Sequence, residues 1–156
     1  MYKRALVPLD GSQVAESIVP FILEIAGPLD MQVALVCVLV PVRPVAVEGA
    51  VVMDDVEKLR ADAEAYLARV AGELRAKGVR VTTMVRRGEP AEEILAAARD
   101  ADADLIAMTT HGRSGLSRLL FGSIAAAVLS RAEIPVFLMR QSAAQVAARA
   151  AWETIS

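Results

Sequence analysis

A run of ten consecutive apolar residues, VALVCVLVPV, occupies positions 33–42 and is rich in valine. A strand covered by helices on both faces has such a continuous apolar sequence, whereas a strand with one solvated face alternates apolar and polar residues. The run is far shorter than the roughly 18 residues that a membrane-spanning helix needs. We therefore predict a buried central strand of a parallel sheet, which in turn requires crossover connections.

Amphipathic segments separate this run from other short apolar stretches, as such crossovers would. We predict five strands, at residues 3–9, 33–42, 79–85, 104–110 and 134–140. Helices are predicted at residues 13–27, 54–77 and 90–101, after Gly122, and in the C-terminal segment SAAQVAARAAWETI. Pro20 should kink or offset the first helix, because proline removes a backbone donor. This alternation predicts an α/β fold: a doubly wound, five-stranded parallel open sheet flanked by helices.

Two regions lie outside this alternation. Residues 43–53, RPVAVEGAVVM, contain proline and glycine without a clean period and are predicted to form a loop that could cover a bound ligand. The C-terminal residues 142–156 are predicted to be a helical tail on a single domain of residues 1–141. The length of 156 residues is typical of one domain.

The charge balance and the cysteine content exclude several classes of function. A net charge of -2 provides none of the basic surface that nucleic-acid binding requires, and no apolar run is long enough to span a membrane. The N-terminus lacks the apolar segment of a signal peptide, so a cytoplasmic location is expected. The single Cys37 cannot form an internal disulfide and is expected to be a small buried apolar residue.

A ligand site is expected at the carboxyl ends of the strands, where open α/β sheets bind ligands. Pro8, Asp10 and Ser12 follow the first strand, and Val38 lies near the end of the second. THGRSGLSRLLFGS at residues 110–123 follows the fourth strand, contains three glycines and two arginines, and ends with Ser123 before a helix. Glycines permit close backbone approach, and a helix N-terminus favours anions. The loop could therefore hold a phosphate.

The same residues also have purely structural explanations. The glycines could serve only to turn the chain, Ser123 could be an ordinary helix N-cap, and Asp10 could be a turn residue. The sequence contains neither of the usual phosphate-binding fingerprints, G-x-x-x-x-G-K-[ST] or G-x-G-x-x-G. The only histidine, His111, has no neighbours at metal-ligand spacing, so no metal site is predicted. No catalytic residue is predicted either.

The motif THGRSGLSRLLFGS, followed by IAAAVLSRAEIPVFLMR, closely resembles the C-terminal half of universal stress protein domains. RALVPLDGSQVAESIVPFILEIA and VALVCVLVPV are similar to the opening elements of that family. Its nucleotide-binding members carry Gly-x-x-Gly, nine residues, then Gly-Ser or Gly-Thr. Here Gly112, Gly122 and Ser123 keep this spacing, but Thr109 replaces the first glycine. The resemblance implies a Rossmann-like fold of the adenine nucleotide α-hydrolase-like type.

The resemblance to ATP-binding members also implies a set of binding residues. Asp10 would contact the nucleoside, Val38 would meet the adenine through its backbone, and Pro8 would shape the same wall. The ribose and phosphates would be lined by Met108, Thr109, His111, Gly112, Arg113, Ser114 and Gly115. Gly122, Ser123 and Ile124 would offer donors to the phosphates. The implied cofactor is ATP, alone or with magnesium.

Three functions follow as hypotheses. The first is an ATP-binding regulatory protein of the stress response, with at most slow ATP hydrolysis. The second is a universal stress protein that binds no nucleotide and acts as a dimeric interaction module, as Thr109 would favour. The third is an enzyme that forms adenylates, for which LDGSQVAES is only a partial signal. The last strand, from Ile134 to Arg140, is apolar on both faces and predicts a homodimer through its edge. The alternative is that the predicted terminal helix, which contains Trp152, covers this region within one chain.

Overall fold

A five-stranded parallel sheet forms the centre of the computed structural model, which describes residues 2–41, 45–47, 50–52, 55–111 and 122–141. Its strands are β1 (Arg4–Pro8), β2 (Gln32–Leu39), β5 (Arg80–Arg87), β6 (Leu105–His111) and β7 (Val136–Gln141). Their order across the sheet is β5-β2-β1-β6-β7, and every pairing is parallel. The predicted doubly wound α/β fold is confirmed, although β1 rather than β2 occupies the middle of the sheet.

Helices cover both faces of this sheet. They are α1 (Gln13–Glu16), α2 (Ile18–Ala26), α3 (Val56–Ala76), α4 (Pro90–Asp100) and α5 (Ser123–Arg131). Successive β2 side chains alternate between two cores: Leu35 packs with Leu67 and Val70 of α3, and Val36 packs with Ile94 of α4. This two-sided burial explains why the β2 sequence is continuously apolar.

Two predicted segments differ from the structure. The single helix predicted at residues 13–27 is divided at Ser17, three residues before Pro20, whose nitrogen cannot donate to the carbonyl of Glu16. Part of the predicted loop at 43–53 forms a small antiparallel ribbon, β3 (Val45–Val47) with β4 (Ala50–Val52). Strands of three residues are too short to be recognised from an alternation of apolar and polar side chains.

The ends of several elements follow ordinary local chemistry. Asp55 caps α3 by accepting a hydrogen bond from the Lys58 amide, and Gly78 ends that helix with a φ of +85°.

In the part of the chain that the structure describes, no helix is both long and apolar enough to cross a membrane. The predicted C-terminal tail lies outside the described residues, and the proposed division of the chain at residue 141 stays a prediction.

Candidate functional site

The sheet has a crevice at the carboxyl ends of β1 and β6. From β1 the chain proceeds through β2 to β5 on one side of the sheet, then crosses to β6 and β7 on the other. β1 pairs with β2 from Arg4 to Pro8 but with β6 only at Ala5 and Leu6. The two strands therefore separate beyond Leu6. This is the switch point at which open α/β sheets bind ligands.

A cavity of about 380 Å³ lies at this point. Its volume falls in the range of small-molecule sites, roughly 300–1,000 Å³. Most of the wall is apolar, with a few polar groups. The cavity is lined by Pro8, Leu9, Asp10, Ala15, Val36, Val38, Val40, Pro90, Ile94, Met108, Thr109, Thr110, Gly122, Ser123, Ile124 and Ala125.

The loop after β1 presents the only carboxylate among the described lining residues. Asp10 Oδ1 accepts a 2.9 Å hydrogen bond from the Ser12 amide, while Ser12 Oγ caps α1 by accepting from the Ala15 amide. Gly11 between them has a φ of +86°, which glycine adopts without strain. Asp10 therefore has the structural turn role, yet one of its oxygens, Oδ2, is not used in that turn. The exposed carboxylate can accept hydrogen bonds from ligand hydroxyl groups.

The second wall comes from β2. The amide of Leu9 donates to the carbonyl of Val36 at 2.8 Å, and the amide of Gly88 donates to the carbonyl of Leu39 at 3.0 Å. Because backbone groups alternate in direction along a strand, Val38 directs its N–H and C=O to the side of β2 that faces β1. β1 ends at Pro8. The backbone of Val38 therefore faces the crevice beyond that end.

The end of β6 forms the third wall. Met108 packs into the core under α4 and α5, and alternation directs Thr110 to the same face and Thr109 to the opposite one. Thr109 Oγ1 lies 3.4 Å from Ser17 Oγ at the junction of α1 and α2. The Thr109 side chain therefore lies on the α1 side of the cavity, away from the α4 and α5 side where Ile94 and Ala125 line it.

The N-termini of two helices reach the cavity, and they differ in charge. At α4, Glu89 accepts hydrogen bonds from the amides of Ala91 and Glu92, and these bonds lower the pKa of the Glu89 carboxyl below its ordinary value. Two further acidic residues occupy the first turn of α4. At α5, the N-cap is Gly122, which has no side chain to cap the helix, and the first turn contains no acidic residue. The α5 N-terminus is thus the one suited to an anion.

Gly122 does not have a positive φ, the conformation that glycine adopts more readily than other residues. Its φ is -58°, and a Cβ built on it would meet no described atom within 4 Å. The N-cap is Gly122 itself, and Ser123 is the first residue of α5 instead of the cap. A glycine at this position therefore leaves open space at the cavity wall and is not required by the backbone conformation.

The sequence-predicted residues are distributed as follows. The cavity lining contains Pro8, Asp10, Val38, Met108, Thr109, Gly122, Ser123 and Ile124. His111 is the last residue of β6, and only its backbone is described. The predictions for Gly112, Arg113, Ser114 and Gly115 lie outside the described residues.

Several lining residues were not predicted, although the sequence contained a usable signal for some of them. Val36 and Thr110 each lie two residues from a predicted site residue in a strand, and residues two apart share a face. Pro90, Ile94 and Ala125 come from helices whose approach to the crevice depends on tertiary packing. The alternation of side chains along a strand could thus have identified Val36 and Thr110, but not the residues that the helices contribute.

The described residues offer few other reactive groups. They contain no group of three or more His, Cys, Asp or Glu side chains that could hold a metal ion. Cys37 is buried in the core beneath α3, and burial, followed by the negative charge of Asp10, raises the pKa of its thiol. The described lining therefore offers backbone amides, hydroxyl groups and one carboxylate to a ligand.

These features define a class of protein: a doubly wound α/β domain with a ligand cavity at its switch point and, beside it, a helix N-terminus with glycine as the N-cap. Residues 1–140 match the model of the universal stress protein family, and the chain belongs to that family. It is 33% identical over 144 residues to the universal stress protein MJ0531 of Methanocaldococcus jannaschii, covering 90% of this chain and 84% of that relative. Three mycobacterial relatives are longer, and the chain covers 45% of each.

Solved structures share the same fold. The hypothetical protein MJ0577, also from Methanocaldococcus jannaschii, superposes with a TM-score of 0.72 at 25% identity, covering 90% of this chain and 97% of that one. A universal stress protein from Archaeoglobus fulgidus in complex with dAMP has a TM-score of 0.63 at 22% identity, covering 88% and 97%.

Proposed function

We propose that this universal stress protein binds an adenine nucleotide, ATP, in the cavity at the switch point and acts as a regulatory binding protein in the stress response. The observation that carries the proposal is the joint placement of Asp10, Val38 and the N-terminus of α5 around one cavity. A structurally similar protein of the same family was solved with dAMP.

The nucleoside end of the ligand is proposed to lie against β1 and β2. The Val38 N–H and C=O can form the paired donor and acceptor contacts that suit the edge of a purine base. Asp10 carries a negative charge, so it repels phosphate but accepts hydrogen bonds from ribose hydroxyl groups. Val36, Val38 and Ile94 supply an apolar surface for the flat base.

The phosphate end is proposed to lie at the N-terminus of α5. The first amides of that helix have no intrahelical partner, and the helix dipole favours negative charge there. Glu89 and the acidic residues after it exclude phosphate from the neighbouring N-terminus of α4. Opposite ends of the cavity thus differ in electrostatic character, which orients an adenine nucleotide in one direction.

Binding, rather than fast catalysis, is the proposed role. Asp10 is the only carboxylate in the described part of the cavity lining, and it already accepts a hydrogen bond from the Ser12 amide. Among the lining residues that the structure describes, there is neither a second carboxylate for magnesium nor a histidine base. Any ATP hydrolysis should therefore be slow, and rapid, saturable phosphate release at high protein concentration would contradict this role.

Isothermal titration of nucleotide-stripped protein with magnesium ATP tests the proposal. We expect saturable binding that Asp10→Ala weakens by about tenfold or more, since a hydrogen bond to a charged group is removed. Asp62→Ala is the matched control, because Asp62 is an exposed carboxylate on α3 that does not line the cavity. No binding by well-folded wild type, or equal loss in both variants, would overturn the proposal.

A second candidate function, an interaction module that binds no nucleotide, is favoured by one observation. Thr109 replaces the first glycine of the motif and forms part of the cavity wall. Under this alternative, millimolar ATP leaves the melting temperature unchanged.

For both candidate functions we propose a homodimer through β7, which is the last strand of the described sheet.

A further inference from the structure

Thr110 has a buried hydroxyl group that no contact in the fold explains. The residue is 2% exposed and lines the cavity, yet its Oγ1 has no hydrogen-bond partner within the described parts of the chain. It is also the only polar or charged residue in the buried class there. Thr109, the adjacent residue, has its hydroxyl within reach of Ser17.

Such a group lowers the stability of the folded protein. A buried polar group without a partner loses its hydration without compensation, at a cost of about 1–3 kcal/mol. Valine has nearly the same shape as threonine, has high strand propensity and would avoid this cost at a β6 position. Unsatisfied buried groups in native proteins call for an explanation, and one explanation is a partner that arrives with a ligand.

The position of Thr110 indicates which part of a ligand it would meet. Its side chain shares a face of β6 with Met108, which packs in the same core as Ala125 of α5. Val38 lies on β2, and β1 separates that strand from β6. Two strand spacings of about 4.8 Å put Thr110 roughly 10 Å across the sheet from the proposed base contact. It is therefore on the α5 side of the cavity.

We propose that the Thr110 hydroxyl is a specificity-determining contact that donates a hydrogen bond to the phosphate seated at the N-terminus of α5. This inference rests on the proposed nucleotide site. Staggered χ1 rotamers allow the hydroxyl and methyl groups of threonine to exchange places. Oγ1 can therefore rotate from its buried position toward an oxygen of a bound phosphate. The hydroxyl thus distinguishes a phosphorylated nucleoside from the bare nucleoside.

Two variants separate this role from a structural one, because they should shift stability in opposite directions. Thr110→Val removes the unsatisfied hydroxyl and should raise the melting temperature of the ligand-free protein. Thr110→Ser keeps the hydroxyl but removes a buried methyl group and should lower that temperature. If the hydroxyl contacts phosphate, the affinity for AMP should depend on whether a variant keeps the hydroxyl group, and not on how stable that variant is.

The measurement is isothermal titration of wild type and both variants with AMP and, separately, with adenosine. Thr110→Val should weaken AMP binding by about tenfold and leave adenosine binding unchanged, while Thr110→Ser binds both ligands as wild type does. AMP binding by Thr110→Val equal to wild type would overturn this proposal alone. Wild type that binds neither AMP nor magnesium ATP would overturn the proposed function, and this inference with it.

Discussion

The hydroxyl oxygens of Thr109 and Ser17 lie 3.4 Å apart and connect the end of β6 to the junction between α1 and α2. Ser17 Oγ donates its only proton to the carbonyl of Val14 at 2.5 Å, so Thr109 must be the donor toward Ser17. The residue that replaces the first motif glycine is thus directed to a structural partner on the α1 side of the sheet.

Restoring glycine at this position should mainly affect stability. Thr109→Gly removes the contact to Ser17 and adds chain entropy to the unfolded state, so the free energy of unfolding should fall by about 1 kcal/mol or more. Because the side chain is directed toward Ser17, the affinity for magnesium ATP should change less than about threefold. Denaturant unfolding and calorimetric titration provide both quantities. Thr109→Val, which keeps the shape, is the control, and a tenfold gain in affinity for the glycine variant would show that Thr109 obstructs the site.

A side chain at Gly122 should affect the ligand more than the fold. Gly122→Ala introduces a Cβ that meets no described atom within 4 Å at an ordinary φ of -58°. Glycine is a better N-cap than alanine, so a loss of stability up to about 1 kcal/mol is expected. Affinity for magnesium ATP should fall by about tenfold, because the methyl group would occupy the space proposed for the phosphates. Unaltered affinity would place the phosphates elsewhere.

The Glu89 carboxylate should make stability depend on pH in the acidic range. Hydrogen bonds from the amides of Glu92 and Ala91 lower the pKa of Glu89 in the folded protein. Its stabilising effect is therefore complete above the ordinary carboxyl pKa of 4.5 and is lost as the pH falls through the folded-state pKa. Glu89→Gln should unfold more readily than wild type at neutral pH, and the difference should shrink on acidification.

Glu92→Gln is the control for this pH dependence, because Glu92 lies in the same first turn but does not cap α4. Thermal unfolding between neutral pH and about pH 3 measures both variants. A difference between Glu89→Gln and wild type that stays constant over this range would contradict the capping explanation.

The proposed dimer can be tested at the outer edge of β7. The amide of Ile106 donates to the carbonyl of Pro135, so alternation directs the backbone groups of Arg140 away from β6. Arg140→Pro removes an outward amide without breaking the ladder to β6 and should convert the dimer into monomers in sedimentation equilibrium. Arg140→Ala controls for the lost side chain. Monomeric wild type at micromolar concentration would remove the dimer altogether.

The sequence alone determined the succession of the five strands of the parallel sheet and of the helical segments between them, because strands and helices have different apolar periods and their local signals agree. The run at residues 33–42 correctly predicted a strand buried on both faces, and the spacing at residues 54–77 predicted α3 to within two residues at its N-terminus. Pro20 indicated a disturbance of the first helix, although not that the division falls at Ser17. The resemblance of the motif to a known family supplied Asp10, Val38 and Gly122 as candidates.

Only the tertiary structure decided how these candidates relate to one another. Strand order is set by packing between distant segments, so the middle position of β1 and the crevice beside β6 have no local signature in the chain. The direction of Thr109 toward Ser17, the capping of α4 by Glu89 and the unpartnered hydroxyl of Thr110 likewise depend on residues that meet through the fold. Period and motif depend on neighbours along the chain, whereas a site depends on neighbours in space.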